Sequence, residues 1–569
     1  MKKWIALLLA LCMAFSIAAC SASTETPAAT TEEAAPAETA DALQQQQEGT
    51  AKLDAATSEN AEGEEKTYGG TLIVGIPADP NGFMGAVSTD TYDKYPWQPM
   101  SIGILNYDAA NNMEPVCSEL AESYEFSDDY MHLTFHLRDA QWTDGEPITS
   151  GDVKFTIEKF LIPYSSNMRN ELANLESIEC PDDKTVVINL SQPNKALIGF
   201  WHSFYASVLP EHVWADYAEN YTECPEFLKP TVTGGPFVLS EYVAGDHITY
   251  VKNENYWNPD EPYVDTLILK IIPDQTTMGE ALEAGEIDIA PCAAISYDEC
   301  DRLRDNDSIV VYDIGKELRT TVYYVGFNVQ QEKLADANVR KALISAIDQD
   351  AIITKAFNGY GQASYSPIPN NAAFNEIRVE PDNEYKYDVE GAKALLDEAG
   401  LTADANGSRG LTITIVRENN EKERMLAETM KSYWAEIGVE TEIVALDRAA
   451  MCERVYTNKD YDVCFIDGGL SSDFATCANR YASSYTGNYC NPGNLNNARI
   501  DEIFTIVGAS DDATQKELYA ELQNLIADEA AFMWLQNWAP YAVGANIGGQ
   551  PFRPDVQFDD WSGAWIKNN

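Results

Sequence analysis

Residues Leu120 to Phe160, LAESYEFSDDYMHLTFHLRDAQWTDGEPITSGDVKFTIEKF, constrain the fold more than any other stretch. In MHLTFHL, Met131, Leu133, Phe135 and Leu137 share one face, and His132, Thr134 and His136 share the other. That alternation predicts a half-buried antiparallel strand. Asp144-Gly145 supplies a polar turn. Thr149 stands at the N-cap of a helix, with Asp152 three positions on as its acidic capping-box partner. Val153, Ile157, Phe160 and Leu161 then recur at helical spacing.

What surrounds this unit follows from charge and from the chain's first residues. Of 569 residues, 91 are acidic and 38 basic, a net charge of -53. Such a surface repels phosphate, so no nucleic-acid partner is expected. It also repels anionic lipid heads, so membrane residence needs a covalent or apolar anchor. Lys2-Lys3 and the apolar run Ile5 to Ala19 form an export segment, shorter than the roughly 20 residues of a spanning helix. The run ends in Ile17-Ala18-Ala19-Cys20, which resembles a bacterial lipobox. Residues 1–19 are therefore expected to be a lipoprotein signal peptide, with Cys20 as the lipidation site. Each buried lipid CH2 contributes about 0.8 kcal/mol to membrane binding. Residues 20–67 lack aromatic side chains and are rich in Ala, Thr, Glu and Gln. They read as a disordered acidic tether, with a reach on the order of 40 Å. The remainder, with 45% hydrophobic residues overall, suffices for a large core.

Further strands are expected at 68–77, 185–190, 237–242, 248–252, 267–273, 320–328, 411–416, 439–445 and 461–467, and helices at 194–203, 278–285, 336–347, 422–437 and 515–530. Strand-helix-strand order over 411–445 implies an α/β unit with parallel pairing. Ala78-Asp79-Pro80-Asn81-Gly82-Phe83 is strong turn chemistry in its own right. Thr233-Gly234-Gly235-Pro236-Phe237 is no phosphate loop, because no Lys-Ser/Thr follows it. His132 and His136 lie on the polar face of a strand, not at metal-ligand spacing on a helix. No GxSxG, HExxH, Walker or dinucleotide motif occurs, and no carboxylate pair stands out for glycoside hydrolysis. No enzyme class is singled out by these motifs, a glycoside hydrolase stays a weak alternative, and neither a cofactor nor a metal is expected.

The central stretch closely resembles a signature of the family 5 extracellular solute-binding proteins, the oligopeptide-, dipeptide- and nickel-binding receptors of ABC importers. The family pattern runs roughly LAESWE-S-D--TYTFHLR---W-DG-P-TA-DV-F. Later segments follow in family order: TGGPF at 233–237, NENYWNPDEP at 253–262, GEIDI at 285–289, DANVRKALISAI at 336–347 and YDVEGAKALLDEAG at 387–400. The resemblance implies an α/β fold of the periplasmic-binding-protein-like type II, large cluster C type, with two lobes around a ligand cleft. Lobe I would span 68–320, with an inserted subdomain at roughly 101–230. Lobe II would span 321–538, and 539–569 would return to lobe I.

The same resemblance implies the function and its sites. The protein would be an extracytoplasmic lipoprotein, monomeric, capturing short peptides by lobe closure and passing them to ABC permease and ATPase subunits. A nickel chelate or oligosaccharide in the same role is the alternative solute; a surface sensor or a hydrolase is the alternative class. Cleft candidates are Asp79, Asn81, Phe83, Gly234, Gly235, Tyr323, Tyr324, Phe327, Asn328, Asp467 and Asp473. In peptide-binding relatives an aspartate after the 461–467 strand pairs with the ligand's α-ammonium. Asp473 is the best positional match and Asp467 the second, with a solvated loop acid as the plain alternative. The family's tryptophan and second Asp-Pro are absent here. For the buried tyrosines, sheet packing is the plain alternative. Beyond Cys12 and Cys20, nine cysteines remain, an odd number. A pair placed like Cys477 and Cys490 occurs in dipeptide-binding relatives and implies a disulfide; two buried thiols are the alternative.

Overall fold

A computed structural model of the chain describes residues 66–88, 91–108, 114–291, 294–313, 321–370, 374, 376–379, 385–469, 473–537, 541–549 and 561–567. The expected signal peptide, Cys20 and nearly all of the tether lie outside the described residues.

The chain enters with β1 (Thr71–Ile76), then leaves for a four-stranded antiparallel sheet. That sheet consists of β2 (Ala121–Phe126), β3 (His132–Leu137), β4 (Leu175–Asp182) and β5 (Thr185–Leu190), in the order β2-β3-β5-β4. On β3, Leu133, Phe135 and Leu137 are buried while His132, Thr134 and His136 face outward, as their alternation predicts. Leu133 opposes Ile188, and Phe135 opposes Val186. The buried face packs on helix α1 (Ser150–Thr156) and on Trp142 and Trp201, with Phe135 and Trp201 edge to face at 5.2 Å. The capping box forms: the Thr149 N–H donates to Asp152 Oδ2 at 2.8 Å. The other Asp152 oxygen accepts from the Glu211 N–H at 2.9 Å, so one carboxylate ties two segments together. Beyond Thr156 the helix widens into a π-turn, Ile157–Leu161, and α2 (Ser166–Glu171) follows.

The chain then returns to pair with β1. Strands β6 (Phe237–Val243), β7 (His247–Lys252), β8 (Thr266–Ile271), β9 (Ile289–Ala290) and β10 (Val310–Asp313) build most of a seven-stranded mixed sheet. β1 runs parallel to β8, Thr71 opposite Thr266.

A second mixed sheet follows. It holds β11 (Thr321–Phe327), β12 (Gln362–Ala363), β13 (Thr412–Glu418), β14 (Glu440–Leu446), β15 (Val463–Gly469) and β16 (Phe532–Asn537), in the order β12-β16-β11-β15-β13-β14. β13 and β14 are parallel, as their strand-helix-strand order predicts. Helix α3 (Ala337–Ser345) lies along this part of the chain, and α4 (Glu421–Glu436) makes the crossover from β13 to β14. Leu426, Ala427, Met430 and Trp434 form the buried stripe of α4, and the Trp434 indole donates to the Leu343 carbonyl at 2.9 Å. Then come α5 (Ala478–Tyr481), α6 (Ala498–Ile506) and α7 (Asp512–Asp528). β17 (Tyr541–Gly544) carries the chain back between β10 and β9, so the first sheet is completed by residues from both ends of the chain.

Every residue of β11 is buried. Tyr323, Val325 and Phe327 enter one core with Leu343 and Trp434, while Val322 and Tyr324 enter a second core with Phe474, Tyr481 and Leu522. Fully burying one such side chain contributes about 1.5–3 kcal/mol. The expected helix at 194–203 is a shorter 3-10 helix, Lys195–Phe200.

Gly234-Gly235 serves packing. A Cβ on Gly235 would stand 2.4 Å from the Met100 carbonyl carbon, and one on Gly234 would stand 2.7 Å from Ile102 Cγ2. The Gly235 N–H donates to the Met100 carbonyl at 2.8 Å. Gly235→Ala must therefore displace backbone, at a cost of about 1–3 kcal/mol or more. Urea melts of the variant check this; an unchanged midpoint would contradict the close approach.

Candidate ligand site

The segment carrying the four-stranded sheet meets the part carrying the six-stranded sheet at a polar junction. From the first come α2 and the 3-10 helix Lys195–Phe200; from the second come the 3-10 turn Phe474–Cys477, α5 and α6. The Lys195 ammonium lies 3.1 Å from Asp512 Oδ1, and the Asn170 amide donates to Cys490 Sγ at 3.8 Å. Between them is a cavity of about 220 Å³, lined by Asn170, Glu171 and Asn194 on one side and Ala478, Tyr485 and Asp501 on the other.

Buried ionisable groups gather around this junction. Glu171, the last residue of α2, is 7% exposed. Its carboxyl makes no hydrogen bond or ion pair with any described residue, and burial alone pushes its pKa up to about 8. Asp501 is better served: the Ser483 N–H donates to it at 2.7 Å. Lys94 is 9% exposed and pushed down to about 7 by burial, against the pull of Asp93. Its ammonium stands 5.7 Å from the centre of the Tyr205 ring. Arg480, on α5, packs so close to Gly468 of β15 that a Cβ there would fall 2.3 Å from its guanidinium carbon. Arg480 Nη1 donates to Cys477 Sγ at 2.7 Å.

The residues named from sequence take varied places. Asp79 accepts from the Tyr242 hydroxyl at 2.9 Å and the Gly245 N–H at 3.0 Å, pinning the β6–β7 hairpin. Asn81 donates through its N–H to Asp93 Oδ1 at 2.7 Å. Phe83 is core, edge to face with Tyr242 at 5.6 Å. Tyr323, Tyr324 and Phe327 are buried in the two cores flanking β11, so they offer no exposed wall. The Tyr323 and Tyr324 hydroxyls find no hydrogen-bond partner among the described residues. Asn328 bonds the carbonyls of Lys459 and Tyr461 at 3.3 and 3.1 Å.

Asp467 is exposed on β15, opposite Tyr323. Asp473 is already engaged. It caps the 474–477 turn through the Ala475 N–H at 2.9 Å and accepts from Gln515 Nε2 at 3.1 Å and from the Tyr519 hydroxyl. An ammonium would have to displace these donors. Cys477 and Cys490 are not bonded to each other; both are buried thiols, each pushed up to about 11 by burial. The expected disulfide is thus absent, each sulfur having its own partner in Arg480 or Asn170. Glu171 escaped sequence reading because nothing beside it in NEL marks it; its desolvation comes from chain about 300 residues away. Among the described residues no group of three His, Cys, Asp or Glu is placed to hold a metal ion. None of the described helices is long and apolar enough to cross a membrane.

Two mixed sheets, the seven-stranded one begun by β1 and completed by β17 after the six-stranded one, define the class: a cluster C periplasmic-binding-protein fold. Over 89% of the chain this fold superposes on all of the Bacillus subtilis oligopeptide-binding protein AppA in complex with a nonapeptide, at TM-score 0.76 and 22% identity. A TM-score of 0.76 is also reached with Brucella suis NikA in complex with Fe(III)-EDTA, at 22% identity over 88% of this chain and all of that one.

The family model for bacterial extracellular solute-binding proteins, family 5 Middle, matches residues 116–489, and the chain belongs to that family. A Brucella ovis protein named for peptide binding by an ABC transporter is 32% identical over 385 residues, 65% of this chain and 68% of that one. The heme-binding protein A of Haemophilus influenzae is 28% identical over 477 residues, 79% and 82% of the two chains. The protein is accordingly an extracytoplasmic, non-catalytic substrate-binding protein of an ABC importer.

Glu171 gives stability a definite pH dependence. Its carboxyl ordinarily titrates near 4.5 and in the fold near 8, so the folded state holds the extra proton between those values. This favours folding fully below about pH 4.5 and is lost as pH rises through about 8. Glu171→Gln removes the effect. Its advantage over wild type is expected to grow by on the order of 4 kcal/mol between pH 4.5 and 8.5. Paired urea melts across that range check it; a constant difference would show the carboxyl to be solvated.

Proposed function

We propose that this protein captures short peptides between two lobes and delivers them to an ABC permease with its ATPase subunits. Lobe I comprises residues 68–320, with 101–230 as an inserted subdomain, and 539–569 return to it. Lobe II comprises 321–538. The lobes rotate about the crossings near residues 320 and 538, and the closed form docks on the permease. The observation that carries this reading is the junction cavity, where buried charge is gathered and few direct bonds join the two sides. A solute in that gap binds the closed state more tightly than the open one, which is the condition for closure. Backbone groups along the gap pair with an extended peptide and tolerate varied side chains. Asp467, exposed at the end of β15, is the carboxylate of the original pair that is free to face the cleft.

An export segment ending in Cys20 supports lipid anchoring outside the membrane, with residues 20–67 as the leash. Cys20→Ala is expected to abolish incorporation of labelled palmitate and release the protein from the membrane fraction. Unchanged labelling would reject Cys20 as the acceptor.

The ligand itself is tested by native mass spectrometry with a tripeptide pool, and closure by small-angle scattering with and without the pool. Bound peptide with a smaller radius of gyration is expected. Binding of a nickel chelate or oligosaccharide in place of any peptide would reject the peptide reading and keep the importer role. Peptide turnover would overturn the receptor reading.

A further inference from the structure

We infer that Glu171 is the anchor for a cationic group of the ligand, a primary ammonium or a guanidinium, seated in the cavity between α2 and α6. This rests on the solute-receptor reading above and assigns one contact within it.

Three observations converge. First, Glu171 is more than nine-tenths buried and lines a cavity of about 220 Å³, room for a single side chain or an amine terminus. Second, its carboxyl has no hydrogen-bond donor or cation among the described residues. Carboxylates enclosed for stability alone resemble Asp152 or Asp473 here, which hold three donors each. Third, the carboxylate that position in the chain favours for an ammonium, Asp473, is already engaged by Ala475, Gln515 and Tyr519.

The surroundings of Glu171 favour a positive visitor over a resident counter-ion. On α2 itself, Arg169 turns away to the carbonyls of Ile162 and Pro163. From the facing segment come Cys477, Tyr485 and Cys490, whose pKa values burial raises first and the charge of Glu171 raises further. Arg480 and Lys459 lower the pKa values of those thiols, and neither bonds Glu171. Asp501, across the cavity, adds a second negative charge. Glu171 also ends its helix, where the backbone disfavours negative charge and favours a cation. Empty, the carboxyl is held mostly protonated at neutral pH by its burial. A cation entering the cavity would form a charge-assisted bond with the ionised form and drive the proton out.

The experiment compares the full-length wild type with Glu171→Gln, an isosteric change that removes the charge and keeps the cavity filled. Both proteins are offered a tripeptide pool and the same pool after exhaustive acetylation of its amines. In parallel they are titrated calorimetrically at pH 7 with n-butylammonium and with 1-butanol, in buffers of different ionisation enthalpy. Wild type is expected to prefer the unacetylated pool by roughly tenfold or more, and to release roughly 0.9 proton per n-butylammonium bound. Glu171→Gln is expected to lose both the preference and the proton release.

If no peptide binds but wild type alone takes n-butylammonium with proton release, the peptide reading falls and the role of Glu171 stands. If peptides bind and Glu171→Gln keeps the wild-type preference, the peptide reading stands and the inference is overturned. If n-butylammonium fails to bind wild type and acetylation leaves peptide binding unchanged, the inference is overturned as well.

Discussion

The burial of β11 on both faces is the constraint on which the rest of the structure depends. It is hydrogen-bonded to β15 on one edge and β16 on the other. Its alternate residues belong to two separate cores, Tyr323, Val325 and Phe327 to one, Val322 and Tyr324 to the other. A slip of one residue would exchange the two sets, so its register is held from both sides. Through β15 that register sets where Asp467 and Gly468 stand, opposite Tyr323 and Val322, and Gly468 in turn admits the guanidinium of Arg480. The polar junction is thus positioned by an apolar strand that takes no direct part in it.

The junction itself is arranged against the fold's own stability. Glu171 and Lys94 are each buried beyond nine-tenths, and each is shifted towards its neutral form. Well-packed apolar residues would stabilise the same positions better, since desolvating a charge commonly outweighs its attraction to a partner. In a receptor that closes on a solute, the closed state must gain from a guest what it lacks when empty. Links across the gap among the described residues include Lys195 to Asp512 and Asn170 to Cys490, both polar.

Local patterns were legible in the sequence where a segment's neighbours lie nearby in the chain. β3 and β5 match their expected spans because their alternation reports one buried face directly. The capping box at Thr149 and the parallel pair β13–β14 were legible for the same reason. β11 was recognisable as a strand, but its apolar and aromatic residues could not tell a cleft wall from a strand enclosed on both sides. The expected disulfide failed on a contact from far away, since Asn170 and Cys490 are 320 positions apart. The donors that engage Asp473 were hidden for the same reason, because Tyr519 and Gln515 reach it from α7.

The residues alone determined the class of fold, the order of its strands and helices and the absence of familiar catalytic motifs. These depend on periodicity, caps and turns, which act over a few residues. Only the tertiary structure decided which carboxylates are occupied and which is left open. Whether Asp473 or Glu171 is free to meet a ligand depends on donors supplied by remote helices and on water excluded by packing. Neither quantity is written in the local sequence.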